Sequence, residues 1–107
     1  MCAFFASDAH LRFTGAGQAS PLAVTAQGVS EFRPLLALMI KSFKLEEPSI
    51  HSLIIDGRQA VVHWQTTSLS RISGLATPTE LVDLVEFRGD RIASYVEFFA
   101  SRKPPLY

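Results

Sequence analysis

Residues 79–87 read Thr-Glu-Leu-Val-Asp-Leu-Val-Glu-Phe, residues 88–90 read Arg-Gly-Asp, and residues 91–99 read Arg-Ile-Ala-Ser-Tyr-Val-Glu-Phe-Phe. Two runs rich in β-branched and aromatic residues around a short glycine-containing turn predict a β-hairpin. Because side chains alternate across a strand, Asp83 shares a face with apolar residues, and Glu97 shares a face with Tyr95 and Phe99. An ionised carboxylate on an apolar face is unfavourable unless it is paired. Two such carboxyls on neighbouring strands are the main chemical signal in the sequence.

This hairpin resembles the SnoaL-like or nuclear transport factor 2-like (NTF2-like) superfamily, which contains ketosteroid isomerases, limonene-epoxide hydrolases, polyketide cyclases and many non-enzymes. The resemblance rests on a strand with an inward Asp (Leu-Val-Asp83-Leu-Val-Glu-Phe), a Gly turn, and the pattern Arg-Ile-x-x-Tyr95-x-Glu97-Phe-Phe, and it extends from about Phe4 to Phe99. By this resemblance, Asp83 matches the ketosteroid isomerase Asp that stays protonated and donates to the oxyanion. Glu97 matches an inward carboxylate of the epoxide-hydrolase branch. The motif is more specific for the fold than for a reaction.

The resemblance implies an α+β fold of the cone-shaped NTF2-like kind, in which a curved antiparallel sheet wraps around a helix and a pocket. The sequence agrees: a strand is predicted at 8–13, a helix from Ser30 to about Lys44, and strands at 49–55 and 59–69 before the hairpin. At 107 residues the chain is predicted to be one domain, residues 1–107. Members of the superfamily normally begin with a long helix, and the sequence begins after it, so we expect a chain that lacks this first helix. In ketosteroid isomerase that helix carries the Tyr that shares the oxyanion with the Asp.

Composition narrows the classes of partner. Lys plus Arg and Asp plus Glu each number 10, and 48% of the residues are hydrophobic, which favours a globular protein. No basic patch or acidic tail is present, so we expect no nucleic acid and no membrane as partner. The single cysteine, Cys2, excludes an intrachain disulfide and a cysteine-based zinc site. No metal-ligand spacing or cofactor motif is present, and the start of the chain has no signal-peptide pattern. We therefore expect a cytoplasmic protein with no metal and no cofactor.

The strand at 59–69 carries a third candidate. Alternation places His63 and Gln65 on one face and Trp64 on the other. By resemblance, the two positions match an Arg and an Asp of the epoxide-hydrolase site, so we expect both to face the pocket. His63 could orient or protonate a ligand there, or it could be a hydrogen-bonded core residue. Trp64 is expected on the outer face of the sheet.

Two functions remain open from the sequence. The first is a cofactor-free isomerase, cyclase or hydrolase that acts on a small hydrophobic molecule by carboxylate acid–base chemistry, with Asp83, Glu97 and His63 as its catalytic residues. The second is a non-catalytic ligand-binding or dimeric assembly module of the same superfamily, and whether the protein is an enzyme stays open. The residues predicted to line the pocket and bind the ligand are Leu11, Phe13, Gln65, Leu81, Val85, Tyr95 and Phe99.

Three more detailed expectations follow. Two carboxyls this close cannot both ionise easily, so one should hold a proton at neutral pH, and Asp83, among apolar neighbours, is the better candidate. Phe13 stands where ketosteroid isomerase has its base, so we expect no ketosteroid isomerisation. A second apolar face of the sheet predicts a homodimer. The residues of this face are expected to be Val62, Trp64, Val82, Leu84, Val96 and Phe98.

Overall fold

The computed structural model describes residues 4–17 and 24–101. Its elements in chain order are β1 (Phe5–Gly17), β2 (Val24–Gln27), α1 (Val29–Ser42), β3 (Phe43–Asp56), β4 (Gln59–Ser70), β5 (Ala76–Arg88) and β6 (Arg91–Ser101). Within the described residues the strands form one sheet in the order β2-β1-β6-β5-β4-β3. The predicted α+β class is confirmed.

Four consecutive strands, β3 to β6, form an antiparallel meander joined by short turns. Gly89, in the turn between β5 and β6, has a φ of 65°, a value that glycine adopts without the strain of a side chain. Across this hairpin Asp83 lies directly opposite Glu97, as the alternation in the sequence predicts. The register of β3 shifts on either side of the Ser49–Ile50 pair, and bulges of this kind bend a strand and so add curvature to the sheet.

The sheet is mixed, which corrects the prediction that it is antiparallel throughout. β1 runs parallel to β6, with Leu11 opposite Tyr95 and Phe13 opposite Glu97. Short turns can join only antiparallel neighbours, whereas β1 reaches the free edge of β6 from the other end of the chain. Strand β2, which pairs antiparallel with β1, was not predicted at all.

Helix α1 begins two residues earlier than predicted, counted at its N-cap, and ends at Ser42, before the predicted end at about Lys44. Gly28 rather than Ser30 is the N-cap residue, with a φ of 87° and its N–H bonded to the Ala9 carbonyl at 2.7 Å. A Cβ at this position would lie 3.1 Å from the Ser7 carbonyl oxygen, so glycine is needed for both the conformation and the close approach. The chain enters β3 directly at Phe43, because tertiary pairing with β4 overrides the helical pattern there.

The helix packs on one face of the sheet, which we call the concave face. The main core cluster lies between α1, β1 and β2, and it consists of Phe5, Ala9, Leu11, Ala26 and Phe32. A second cluster of Leu81 and Phe99 lies deeper along β5 and β6. No helix in the described parts of the chain is long and apolar enough to cross a membrane.

The opposite, convex face carries an apolar patch. Paired rows bring Ile54, Val61, Leu84 and Val96 together across four strands, with Val82 and Phe98 beside them. Leu84 and Phe98 are 40% and 42% exposed. The expectation that Val62 and Trp64 belong to this face is wrong. Their partners on strand β5 are Asp83 and Leu81, respectively, and these lie on the concave face.

Candidate functional site

A cavity of about 350 Å³ lies between helix α1 and the concave face of the sheet. Its wall is mostly apolar and carries seven aromatic residues, which are Phe5, Phe13, Phe32, Phe43, Trp64, Tyr95 and Phe99. Aliphatic side chains complete the apolar part of the wall, namely Leu36, Met39, Ile40, Leu45 and Leu81. Besides the polar atoms of Trp64 and Tyr95, the polar side chains on the wall are those of Ser68, Thr79 and Glu97. An apolar cavity with a few polar groups is typical of a site for a small molecule.

Sheet register explains why these side chains meet. Trp64, Leu81 and Phe99 lie directly opposite one another on β4, β5 and β6, so they form one row across the concave face. In the next row, Phe13 lies opposite Glu97. The apolar stripe of α1 faces these rows and closes the cavity from the other side.

Asp83 lies behind the wall and connects three of these strands. The residue is only 6% exposed. Its Oδ2 atom accepts a hydrogen bond from Trp64 Nε1 at 2.9 Å and another from the Tyr95 hydroxyl at 2.7 Å. Two donors on one oxygen stabilise the charged form of a carboxyl group. Oδ1 is also buried, and no N–H or hydroxyl group in the described part of the chain donates to it.

Glu97 carries the carboxyl group that lines the cavity. The pKa of Glu97 is raised from 4.5 to about 9, first by burial and then by a hydrogen bond with Asp83 and by the charge of Asp83. The Tyr95 hydroxyl, 3.3 Å from Glu97 Oε2, acts in the opposite sense. At neutral pH Glu97 therefore holds a proton. That proton is also the group that can satisfy the buried Asp83 carboxylate.

Tyr95 stays neutral beside the two carboxyl groups. Burial, followed by the charges of Glu97 and Asp83, raises the pKa of the Tyr95 hydroxyl far above its usual range. The hydroxyl is therefore a permanent donor that lies between the two acids. The expectation placed the shared proton on Asp83, whereas the raised pKa is that of Glu97, and Trp64 and Tyr95 both donate to Asp83 Oδ2.

His63 and Gln65 do not reach the cavity, which corrects the expectation that both face it. On β4 they alternate with Trp64, and Trp64 is the side chain on the cavity wall. His63 Nε2 instead lies 2.6 Å from Glu80 Oε1 on the convex face, and its ring lies 5.1 Å from that of His51. The structure thus separates His63 from Asp83 and Glu97.

The other expected ligand-binding residues divide into two groups. The structure places Phe13, Leu81, Tyr95 and Phe99 on the cavity wall. Leu11 is fully buried in the core cluster against α1, and Val85 lies on the concave face beyond the wall. Neither residue therefore lines the cavity, because Leu11 is enclosed by its core neighbours and Val85 lies beyond the lining residues.

Sequence reasoning missed Phe5, Leu45, Ser68 and Thr79 on the wall and placed Trp64 on the wrong face. The apolar neighbours of Trp64 at alternate positions, Ala60 and Val62, could have indicated its inward direction. No group of three or more His, Cys, Asp or Glu side chains that could hold a metal ion occurs among the described residues.

Comparisons with known proteins agree with this architecture. The family model described as SnoaL-like domain matches residues 1–95. A search of curated proteins found no match to the sequence. Among solved structures, a protein from Rhodopseudomonas palustris, provisionally named an isomerase, superposes with a TM-score of 0.81 at 9% identity, over 92% of this chain and 73% of that one.

Two further structures have the same fold. An NTF2-like protein from Burkholderia xenovorans has a TM-score of 0.78 at 20% identity, over 91% of this chain and 72% of that one. A protein from Mesorhizobium loti, provisionally named a SnoaL-like polyketide cyclase, has a TM-score of 0.71 at 13% identity, over 88% and 77%. At these identities the similarity shows the NTF2-like fold alone.

Proposed function

The chain belongs to the SnoaL-like domain family, and we propose that it binds a small, mostly apolar molecule in the cavity and transfers a proton through Glu97. The reaction would be that of a cofactor-free isomerase, cyclase or hydrolase. One observation carries this proposal: the only acidic side chain on the described cavity wall is a carboxyl whose pKa is raised to about 9. A perturbed carboxyl in an apolar cleft is a frequent sign of a functional site.

The roles of the three polar residues follow from their contacts. Glu97 in its protonated form donates to an oxygen or nitrogen of the ligand and gives up its proton as charge develops there. Tyr95 donates to both carboxyls and so stabilises the carboxylate that Glu97 becomes. Asp83, held by Trp64, keeps the proton on Glu97 before the reaction. Asp83 thus acts through Glu97 and is a positioning residue.

An apolar ketone provides a direct test. We expect the wild-type protein to accelerate exchange of the α-hydrogens of 1-tetralone for deuterium in D₂O, measured by proton NMR. Glu97 donates its proton to the ketone oxygen while a solvent molecule removes the α-proton, and the return to the ketone gives the proton back to Glu97 and takes deuterium from D₂O at the α-carbon. A positioned acid or base typically contributes about 10²–10⁴-fold to such a step, so Glu97→Gln should lose an effect of that order. Glu86→Gln changes an exposed carboxyl on the convex side of β5 and serves as the matched control. Equal exchange by the wild-type protein and Glu97→Gln would contradict the proposal.

The second candidate, a non-catalytic binding or assembly module, is favoured by the convex apolar patch. A sheet face with Leu84 and Phe98 more than a third exposed resembles an interface more than a solvated surface. We propose that two copies of the chain pair through this patch. Saturable binding of 1-tetralone without exchange, by a dimeric protein, would favour this function over catalysis.

A further inference from the structure

We propose that the molecule held in this cavity is a small lipophilic cation, an organic amine whose positive charge lies beside the Asp83–Glu97 pair. This inference rests on the proposed function only in taking the same cavity as the binding site. It adds the chemical class of the ligand, which the acid–base proposal leaves open.

The first argument is an uncompensated charge. Trp64 and Tyr95 both donate to Asp83 Oδ2, and both donors are neutral groups, so they stabilise the carboxylate without neutralising it. Within residues 4–17 and 24–101, the ion pairs are those of His63 with Glu80, Arg88 with Asp8 and Arg91 with Asp90, and none of them involves Asp83 or Glu97. The described wall also contains no basic residue. A buried charge without a partner is unfavourable, so a cation from outside would complete the site.

The second argument is the aromatic surface around this charge. The Phe13 ring stacks on Phe32 with centroids 5.5 Å apart and lies 5.9 Å from the Tyr95 ring. The Phe5 ring lies 6.0 Å from Tyr95 and 6.2 Å from Phe32. These four rings form a continuous surface next to Glu97, since Phe13 and Glu97 are paired across β1 and β6. Aromatic faces attract ammonium groups while their area still binds an apolar body.

Other ligand classes fit less well. An anionic ligand would be repelled by Asp83 and would find no basic side chain on the described wall. A neutral ligand could accept the Glu97 proton but would leave the carboxylate of Asp83 without a counter-charge. A cation satisfies the charge and the aromatic rings together. It also favours the ionised form of Glu97. A neutral amine takes the Glu97 proton as it binds and becomes the ammonium ion, which is the proton transfer of the proposed function, whereas a quaternary ammonium ion drives that proton to solvent.

The test compares two probes of the same shape, phenyltrimethylammonium and tert-butylbenzene. The first has a positively charged nitrogen atom where the second has a neutral carbon atom. Trp64 is the only tryptophan in the sequence and lies on the wall, so its fluorescence reports binding directly. We expect the cation to bind at least tenfold more tightly than its neutral counterpart. Its affinity should rise between pH 6 and pH 9 in the wild-type protein, and this rise should be absent in Glu97→Gln.

Asp83→Asn removes the fixed charge and should abolish the preference for the cation, with circular dichroism to confirm that the variant is folded. Should Asp83→Asn fail to fold, the pH dependence of Glu97→Gln decides, and Glu86→Gln is the control in both cases. Equal affinity for the two probes would overturn the proposal of a cationic ligand. The proposed function would remain intact in that case if the protein still accelerates the exchange of the α-hydrogens of 1-tetralone. No fluorescence change with either probe, together with no exchange, would overturn both.

Discussion

Replacing Glu97 by Gln should make the protein more stable at neutral pH, and the gain should grow as the pH rises. The folded state keeps the Glu97 proton up to about pH 9, whereas in the unfolded chain the carboxyl loses it above 4.5. Between these values the folded state binds more protons, so the contribution of this residue to stability is complete below pH 4.5 and is lost as the pH rises toward 9. The loss is at most about 1.4 kcal/mol per pH unit, or on the order of 3 kcal/mol by pH 7.

Glutamine cannot ionise, so Glu97→Gln avoids this loss while its amide can still donate to Asp83. The measurement is urea unfolding followed by Trp64 fluorescence at pH 5, 6, 7 and 8, for the wild-type protein and the variant. The difference between their free energies of unfolding should be small at pH 5 and should widen with each step. Other titrating groups are common to both proteins and cancel in this difference.

Glu86→Gln is the control, because its carboxyl is exposed on the other face of the sheet, and its difference from the wild-type protein should not change with pH. A Glu97→Gln difference that is equally constant from pH 5 to pH 8 would refute the reasoning. It would mean that Glu97 is ionised in the folded state at neutral pH. The acid role proposed for it would then have to be abandoned.

Three other predictions test separate parts of the structure. Trp64→Phe removes one donor to the buried Asp83 carboxylate and should destabilise the fold by about 1–3 kcal/mol in urea unfolding followed by circular dichroism; an unchanged midpoint would show that this hydrogen bond does not matter. Leu84→Asp introduces a charge into the convex patch and should convert the proposed dimer to a monomer in light scattering, whereas a wild-type monomer at micromolar concentration would exclude the dimer. The protein should not isomerise a 3-oxo-Δ5-steroid, because the aromatic ring of Phe13 stands where that reaction needs a base, and turnover near that of known isomerases would contradict this.

The sequence predicts the hairpin well because its signals are local. The glycine turn and the alternation on either side determine both strands and place Asp83 opposite Glu97. Strand β2 escaped prediction because it has only four residues, and the early start of α1 depends on the contact of Gly28 with β1. Neither feature leaves a pattern long enough to recognise.

The site is harder to predict, because a strand's own pattern does not say which of its faces is inward. On β4 both faces carry a mixture of apolar and polar residues, so Ala60 and Val62 give a weak signal, and the pairing of Trp64 with Leu81 fixes the direction. The position of the shared proton has a similar cause. The neighbours of Asp83 in sequence are apolar, but the donors that stabilise its charge come from Trp64 and Tyr95, which are distant in the chain.

The parallel pairing of β1 with β6 has a consequence for the order in which the protein folds. The meander from β3 to β6 uses contacts between neighbours in sequence, whereas Phe5 must find Ile92 near the other end of the chain. Loop closure over such a separation is slow compared with hairpin formation. The meander can therefore form early with Trp64, Asp83 and Glu97 already in register, while the wall supplied by Phe13 and α1 arrives last. In that order of events the two acids would face water before the last step, and the raised pKa of Glu97 would arise only as the cavity closes over it.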